Sequence, residues 1–436
     1  MGKIDRYILT AFFLIAIIAP QAMATNGHQN MGVGAYGDGM GGAVTAAPFD
    51  SGTMVTNPAG ITKIGGRTDM NFSIFQPVRT MDFKGMGGAS TEGGSPIYMI
   101  PALGMSAPTS EGSDLFFGIG MFLPAGFGVD YESISAGSTF GTGRVFSQLL
   151  LFKVTPTIAK RFNDKLSVGF SLNIDYQALS LKEWFPNALG GALGPVGVDL
   201  GTPIGAMGYG FSLGVLYDIN DRVTFGVSYT SEQSFSDMKY ALNAGDVNFP
   251  IEGLLYTSTK GDYNVGLNFP QQYAVGAAFK ATDELLITAD IKIINYSSTM
   301  DQIDVNGSFN TTNTTTFATG TASSMPLKIG WSDQTVFALG IQYHLNEDTW
   351  LRIGYNHGSS PIKDEDVEVN WAFPAVIEDH YTFGATRNLG ENWQVNFSFV
   401  TAPENSVQGN GRGAIPAGSK ISLGGNATTI GVSYRY

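Results

Sequence analysis

Along most of this chain, apolar and small polar side chains alternate one by one. Leu166, Val168, Phe170, Leu172, Ile174 and Tyr176 interleave with Ser167, Gly169, Ser171, Asn173, Asp175 and Gln177. The same rhythm returns at Val223–Thr230, Phe337–Leu345, Val395–Phe399 and Thr429–Tyr436. A period of two is that of a β-strand with one greasy and one wet face. The wet face here carries Ser, Thr, Asn, Gln and Gly with few charges, whereas a soluble sandwich would more often show Lys and Glu outside. Strands whose apolar face ends in Tyr, Phe or Trp suit the aromatic girdles of a membrane barrel.

The connections give the count. Six are short: 108–113, 161–165, 218–221, 281–284, 346–348 and 388–392. Between them run seven long Gly- and Asn-rich stretches, near 79–96, 125–144, 180–208, 236–261, 299–325, 357–377 and 401–425. Seven hairpins predict about fourteen antiparallel strands, with both ends on the short-turn side. An open sheet in hydrocarbon would bare two edges of unpaired backbone groups at several kcal/mol each, so closure into a barrel is required. The expected class is an all-β transmembrane barrel spanning 65–436.

Composition changes the picture in three ways. The 436 residues contain no cysteine, which removes disulfides, thiolate metal sites and cysteine nucleophiles. Lys3 and Arg6, the apolar run Ile8–Ala19 and Ala22-Met23-Ala24 form an export signal with a cleavage site, expected to occupy 1–24. The run is shorter than the ~20 residues of a helical anchor. Removing Lys3, Asp5 and Arg6 takes the net charge from -13 to -13 - 1 = -14, which argues against a nucleic-acid partner. Export together with a barrel places the protein in a Gram-negative outer membrane, among lipid and lipopolysaccharide, and a monomer is expected.

A fourteen-stranded barrel leaks unless its lumen is filled. The stretch 25–64 lacks alternation, is rich in Gly and Ala, and closes on the turn signature Asn57-Pro58-Ala59-Gly60. It is the expected plug.

Thr25-Asn26-Gly27, Gly39-Met40-Gly41-Gly42-Ala43, Asn57-Pro58-Ala59-Gly60 and the run Trp331–Pro361 resemble the FadL/TodX family of outer-membrane transporters for long-chain fatty acids and aromatic hydrocarbons. The resemblance covers essentially all of the mature chain. It implies a fourteen-stranded barrel with an N-terminal hatch, in which Thr25, Asn26, Gly27, Asn57, Pro58 and Ala59 would be hatch residues. It also implies a kink in the third strand that opens the wall sideways. The matching residues are Pro124, Ala125, Gly126, Phe127 and Gly128, after the strand Asp114–Leu123, where proline withholds a ladder bond and glycine permits a bend.

Two loops carry the apolar residues that capture of a hydrophobic solute would need: Trp184, Phe185, Leu189 and Leu193, and Phe249, Ile251, Leu254, Leu255 and Tyr256. A fatty acid also needs a cation for its carboxylate. Fatty-acid members of the family place bases where this chain reads Tyr176-Gln177-Ala178 and Trp331-Ser332. Lys182 and Lys328 lie close by, and Arg144, Lys292 and Arg352 are further candidates for an anion contact in the lumen. The departure leaves a neutral hydrocarbon open as substrate.

Two motifs are decoys. Gly210-Phe211-Ser212-Leu213-Gly214 lies within an alternating strand rather than a strand-to-helix elbow, and Gly32–Gly37 has no preceding strand. His28, His344, His357 and His380 lack metal-ligand spacing, so neither metal nor cofactor is expected. The reading is passive uptake of hydrophobic compounds by a non-enzyme, with a porin, an adhesin or a lipid-hydrolysing barrel as alternatives.

Overall fold

The computed structural model describes residues 25–94, 97–186, 188, 194–412 and 415–436. The expected export signal, and Leu189 and Leu193 of the first capture loop, lie outside them. Fourteen antiparallel strands form the wall. They are β1 (Arg67–Asp82), β2 (Tyr98–Pro108), β3 (Leu115–Ser135), β4 (Thr142–Val154, resumed at Thr157–Arg161), β5 (Leu166–Phe185), β6 (Val196–Asn220) and β7 (Val223–Thr230). They continue as β8 (Gln272–Lys280), β9 (Leu285–Ile294), β10 (Gln334–Asn346), β11 (Thr349–Gly358), β12 (Asp379–Leu389), β13 (Trp393–Gln408) and β14 (Lys420–Arg435). β14 pairs with β1 along its whole length, from Arg435↔Arg67 to Lys420↔Asp82, so the sheet closes on itself.

The alternation resolves as outside and inside. On β5, Phe170, Leu172 and Tyr176 face outward and stay about two-fifths exposed, while Ser167, Ser171, Asn173, Asp175 and Gln177 point inward and are buried. On β6 the outward row runs from Tyr209 to Ile219, roughly 33 Å along a strand and about 25 Å of height at a tilt of ~40°. Tyr229 and Tyr273 meet at 5.0 Å toward one rim, and Trp393 and Tyr434 at 4.8 Å toward the other.

The six short turns fall where the sequence put them. The long connections do not: several expected loops are strand. β3 runs through Pro124 to Ser135, leaving only 136–141 as a connection to β4. β5 and β6 pair as far out as Phe185↔Val196, across most of the expected loop 180–208. Strands Met238–Leu242, Val247–Ile251, Leu254–Ser258, Gly261–Val265, Gln302–Asn313 and Thr319–Lys328 extend the sheet beyond the wall strands, joined to β6 through Val198↔Val247. β13 and β14 likewise extend to Gln408 and Lys420. Glycine and asparagine content reads as loop from sequence, but these segments find ladder partners and continue the wall.

Inward-facing residues change character along the barrel. Near the short turns they are polar: Arg67, Asp69 and Asn71 on β1, Gln394, Asn396 and Ser398 on β13. Toward the long loops they are apolar: Val129, Leu149, Leu151, Leu179 and Leu181.

Candidate functional site: lumen and side wall

Residues 25–64 lie against the polar half of the inner wall. Their backbone is held by wall side chains: Ser51 N–H donates to Asp69 (2.8 Å), Thr45 N–H to Asp290 (2.8 Å) and Ala35 N–H to Asn71 (3.1 Å). Asn356 donates to the Gly41 carbonyl and Thr382 to that of Gly39, each at 3.0 Å. Buried backbone groups need such partners where water is excluded. Asn57 is fully buried; its amide donates to Thr45 O (2.7 Å) and Val215 O (3.1 Å), and its Oδ1 accepts from Ala59 N (3.2 Å).

The wall makes room by lacking side chains. A Cβ on Gly214 would sit 2.0 Å from Asn57 Oδ1, and one on Gly169 would sit 2.3 Å from the Pro58–Ala59 peptide. Gly226 and Gly354 seat Thr45 and Gly41 in the same way, at 2.2 and 2.3 Å. Of the expected hatch residues, Asn26, Gly27, Pro58 and Ala59 are also buried, and Thr25 pairs with Asn30 in a short hairpin.

The side wall is interrupted at β3. Its pairing with β2 ends at Ala102↔Phe122, although β3 runs on to Ser135. A bulge between Phe122 and Ala125 sets it against β4 at that point. In place of β2, residues 28–30 meet it: Gln29 bridges Ala125, Gly126 N–H donates to His28 O (2.9 Å), and Asn30 donates to Leu123 O (2.8 Å). Ala125, Gly126 and Gly128 are buried, Pro124 and Phe127 half-buried. Thus the five residues expected at the kink stand where the β2–β3 ladder is missing.

Beside this interruption, an apolar cavity is bounded by Phe127, Val129, Trp331, Phe373, Pro374 and Leu423, with Gly27 and Arg79 at its edge. Three of these come from segments that sequence reasoning had not singled out for the site. The connection 359–378 turns back into the barrel, and Val367, Trp371, Ala372, Phe373 and Val376 are buried. Trp371 stands edge-on to Phe83, Phe140 and Phe185 at 4.8, 5.5 and 5.9 Å. Asn370 takes a bond from Trp331 Nε1 (2.7 Å), and the Ala372 carbonyl takes one from Ser147 (2.5 Å). The signal was present in the unbroken run Trp371-Ala372-Phe373-Pro374-Ala375-Val376-Ile377, too apolar for a solvated loop.

The expected capture residues are split. Phe185 is buried against Trp371, whereas Trp184, Phe249, Leu254 and Leu255 are half-buried near the outer sheet. Four of the five expected anion contacts already have partners. Arg144 meets Asp130 at 3.2 Å, and Lys182 and Lys328 meet Asp199 and Glu252 at 2.5 Å. Arg352 is buried among Gln342, Thr386 and the rings of Tyr36 and Phe49, beneath the N-terminal segment. Lys292 lines a separate cavity with Lys153, Gln233 and Phe269.

Ser212 lies mid-strand and its hydroxyl meets Asn173 (3.0 Å) and Thr230 (3.1 Å). His344 stacks on Trp350, and His357 meets Asp379. Among the described residues no three His, Asp or Glu side chains are grouped to hold a metal.

A closed fourteen-stranded barrel with apolar rows on its outer face is the architecture of an outer-membrane protein. The chain belongs to the outer membrane protein transport protein family OMPP1/FadL/TodX, whose sequence model matches residues 15–436. Among curated relatives, outer membrane protein P1 of Haemophilus influenzae is 23% identical over 444 residues, covering 92% of this chain and 90% of the relative. An outer membrane protein of Neisseria meningitidis is 22% identical over 432 residues, covering 90% and 91%. Among solved structures, the toluene transporter TodX of Pseudomonas putida superposes with a TM-score of 0.72 at 19% identity, covering 93% of this chain and 99% of that one. The Ralstonia pickettii toluene transporter TbuX gives 0.65 at 21% identity, with the same coverage. These likenesses establish the fold.

Proposed function

We propose that this protein carries hydrophobic compounds passively across the outer leaflet, with 25–64 as a hatch and the interruption beside β3 as the exit. A solute would leave water on the half-buried apolar residues of the outer loops, gaining roughly 25 cal/mol for each Å² buried. It would descend to the apolar cavity under the 359–378 connection. Movement of His28–Asn30 away from β3 would then let it pass sideways into lipid, never meeting the polar half of the lumen. The observation that carries this reading is the end of the β2–β3 ladder at Phe122 beside that cavity. The fold neighbours named as toluene transporters support a small hydrocarbon as one substrate, and long-chain acids remain the family's other class.

The test is Gly126→Val, which puts a branched side chain at the opening. Uptake of toluene into liposomes holding the variant should fall at least tenfold, while heat-modifiable gel migration stays unchanged. Full uptake by a correctly assembled variant would rule out the sideways route.

A further inference from the structure

Beside the interrupted wall, the imidazole of His28 is boxed by three aromatic rings drawn from distant parts of the chain. Its centroid lies 4.7 Å from that of Phe269 and 4.9 Å from that of Tyr296, both edge-to-face, and 5.8 Å from that of Trp331. Tyr296 and Trp331 meet each other edge-on at 5.2 Å. All four side chains are buried. Edge-to-face order at ~4.5–7 Å is the arrangement that aromatic rings prefer. The box lies between two cavities. Trp331 borders the apolar one with Phe127 and Phe373, and Phe269 borders the polar one with Lys153 and Lys292.

Imidazole is an imperfect occupant of this box. Its Nδ1 is buried without a hydrogen-bond partner, and an unmet polar atom costs free energy that a carbon in the same place would not. A planar all-carbon ring would keep the edge-to-face contacts and carry no such atom. The backbone of the same residue belongs to the plug of the break. His28 N–H donates to the Tyr296 hydroxyl (3.2 Å), which itself donates to Asn26 O (2.6 Å). His28 O accepts from Gly126 N–H of β3 (2.9 Å), and Gln29 bridges Ala125. Ring in the box and backbone in the break are thus one residue's two ends.

We propose that Phe269, Tyr296 and Trp331 form a binding site for a single aromatic hydrocarbon ring, which His28 fills at rest as a built-in competitor. This inference rests on the uptake reading above and deepens it by naming a substrate class and its trigger. A monoaromatic ring arriving from the apolar cavity takes the box. The imidazole turns out toward the polar cavity, where Gln29, Asn30, Lys153 and Gln233 offer the hydrogen bonds it lacks in the box, and His28–Asn30 leaves β3. A ligand shifts such an equilibrium only by its differential affinity for the two states. The three rings supply that difference to a planar aromatic guest, and not to a saturated ring, which has no quadrupole to set against theirs.

The experiment treats the purified barrel in a nonionic detergent with toluene or methylcyclohexane, equal in carbon skeleton, one planar and aromatic, the other puckered and saturated. Diethyl pyrocarbonate modifies accessible imidazoles, and peptide mass spectrometry reads each histidine separately. Saturating toluene should speed modification of His28 at least tenfold, with the rates at His344 and His357 constant, and methylcyclohexane should leave His28 unchanged. Phe269→Leu, which keeps bulk but removes a ring, should cut the toluene effect at least fivefold while heat-modifiable migration stays normal. A His28 rate that toluene leaves unchanged or lowers would overturn the proposal. So would equal acceleration by methylcyclohexane, a rise shared by His344 and His357, or a full toluene effect in correctly assembled Phe269→Leu. Toluene uptake into liposomes separates the two readings. Uptake without faster His28 modification overturns this inference alone; faster modification by toluene without uptake keeps the box as a binding site and overturns the uptake reading.

Discussion

At the level of single residues, the fit between wall and N-terminal segment depends on absent atoms. Gly214→Ala would drive a methyl group to within 2.0 Å of the Asn57 oxygen, closer than any real contact. Overpacking of this kind costs typically ~1–3 kcal/mol, and the strain falls on the segment because the wall is held by two ladders. We expect Gly214→Ala to raise single-channel ion conductance in planar bilayers while leaving barrel assembly intact. Conductance equal to the wild type would show that the seat at Gly214 does not control the seal. Such seats were only half legible in the sequence. The inward register of Gly169 and Gly214 follows from alternation, but which inward glycine meets Asn57 depends on how the segment folds across the lumen.

The elements that sequence described least well are the connections. Alternation locates a strand wherever one face touches lipid, so β5 through Tyr176 and β14 from Thr429 were plain. Beyond the bilayer both faces are wet or both are covered, the period-two contrast fades, and β3 past Pro124 or the hairpins after β7 read as loop. The 359–378 connection is the strongest example, since it belongs to the core. Replacing Trp371 by Ala removes the ring that Phe83, Phe140 and Phe185 surround, a loss of roughly 3–5 kcal/mol for a buried tryptophan. Trypsin or proteinase K added outside should then cut within 359–378 several times faster than in the wild type; identical cleavage would mean that the docking does not depend on this ring. The docking should also respond to pH. Burial raises the Glu368 pKa above its ordinary 4.5, against bonds donated by Ser419 and Gly411. An acid with a raised value in the docked state favours docking while protonated. The contribution is whole below 4.5 and disappears as pH rises through the raised value. Amide exchange of 365–371 should therefore be slower, relative to the intrinsic rate, at pH 4 than at pH 7; Glu368→Gln should reduce the difference, and Asp366, whose carboxyl burial also pushes up, supplies the remainder.

For the molecule as a whole, the barrel and its content are separable problems. The wall satisfies its own backbone, so a chain lacking 25–60 should still insert and still migrate faster on a gel unless heated. Its conductance should rise to that of an open pore. Absence of a rise would mean that these residues do not obstruct the lumen. Strand number and closure could be read from periodicity and turn spacing, because the bilayer imposes those rules on every strand alike, and the outer-membrane location from the barrel together with the expected export signal at 1–24. The cavity and the break in the wall could not be read so directly, since they depend on where three distant segments converge.

The seam between β1 and β14 joins residues 338 to 368 positions apart in the chain, Asp82 with Lys420 and Arg67 with Arg435. A polypeptide stopped before its last strand would present two bare rims to oil, each unmet amide or carbonyl costing several kcal/mol. Truncated products therefore have no resting place in the bilayer, and the final sixteen-residue strand serves as a proof of completeness that the membrane itself enforces.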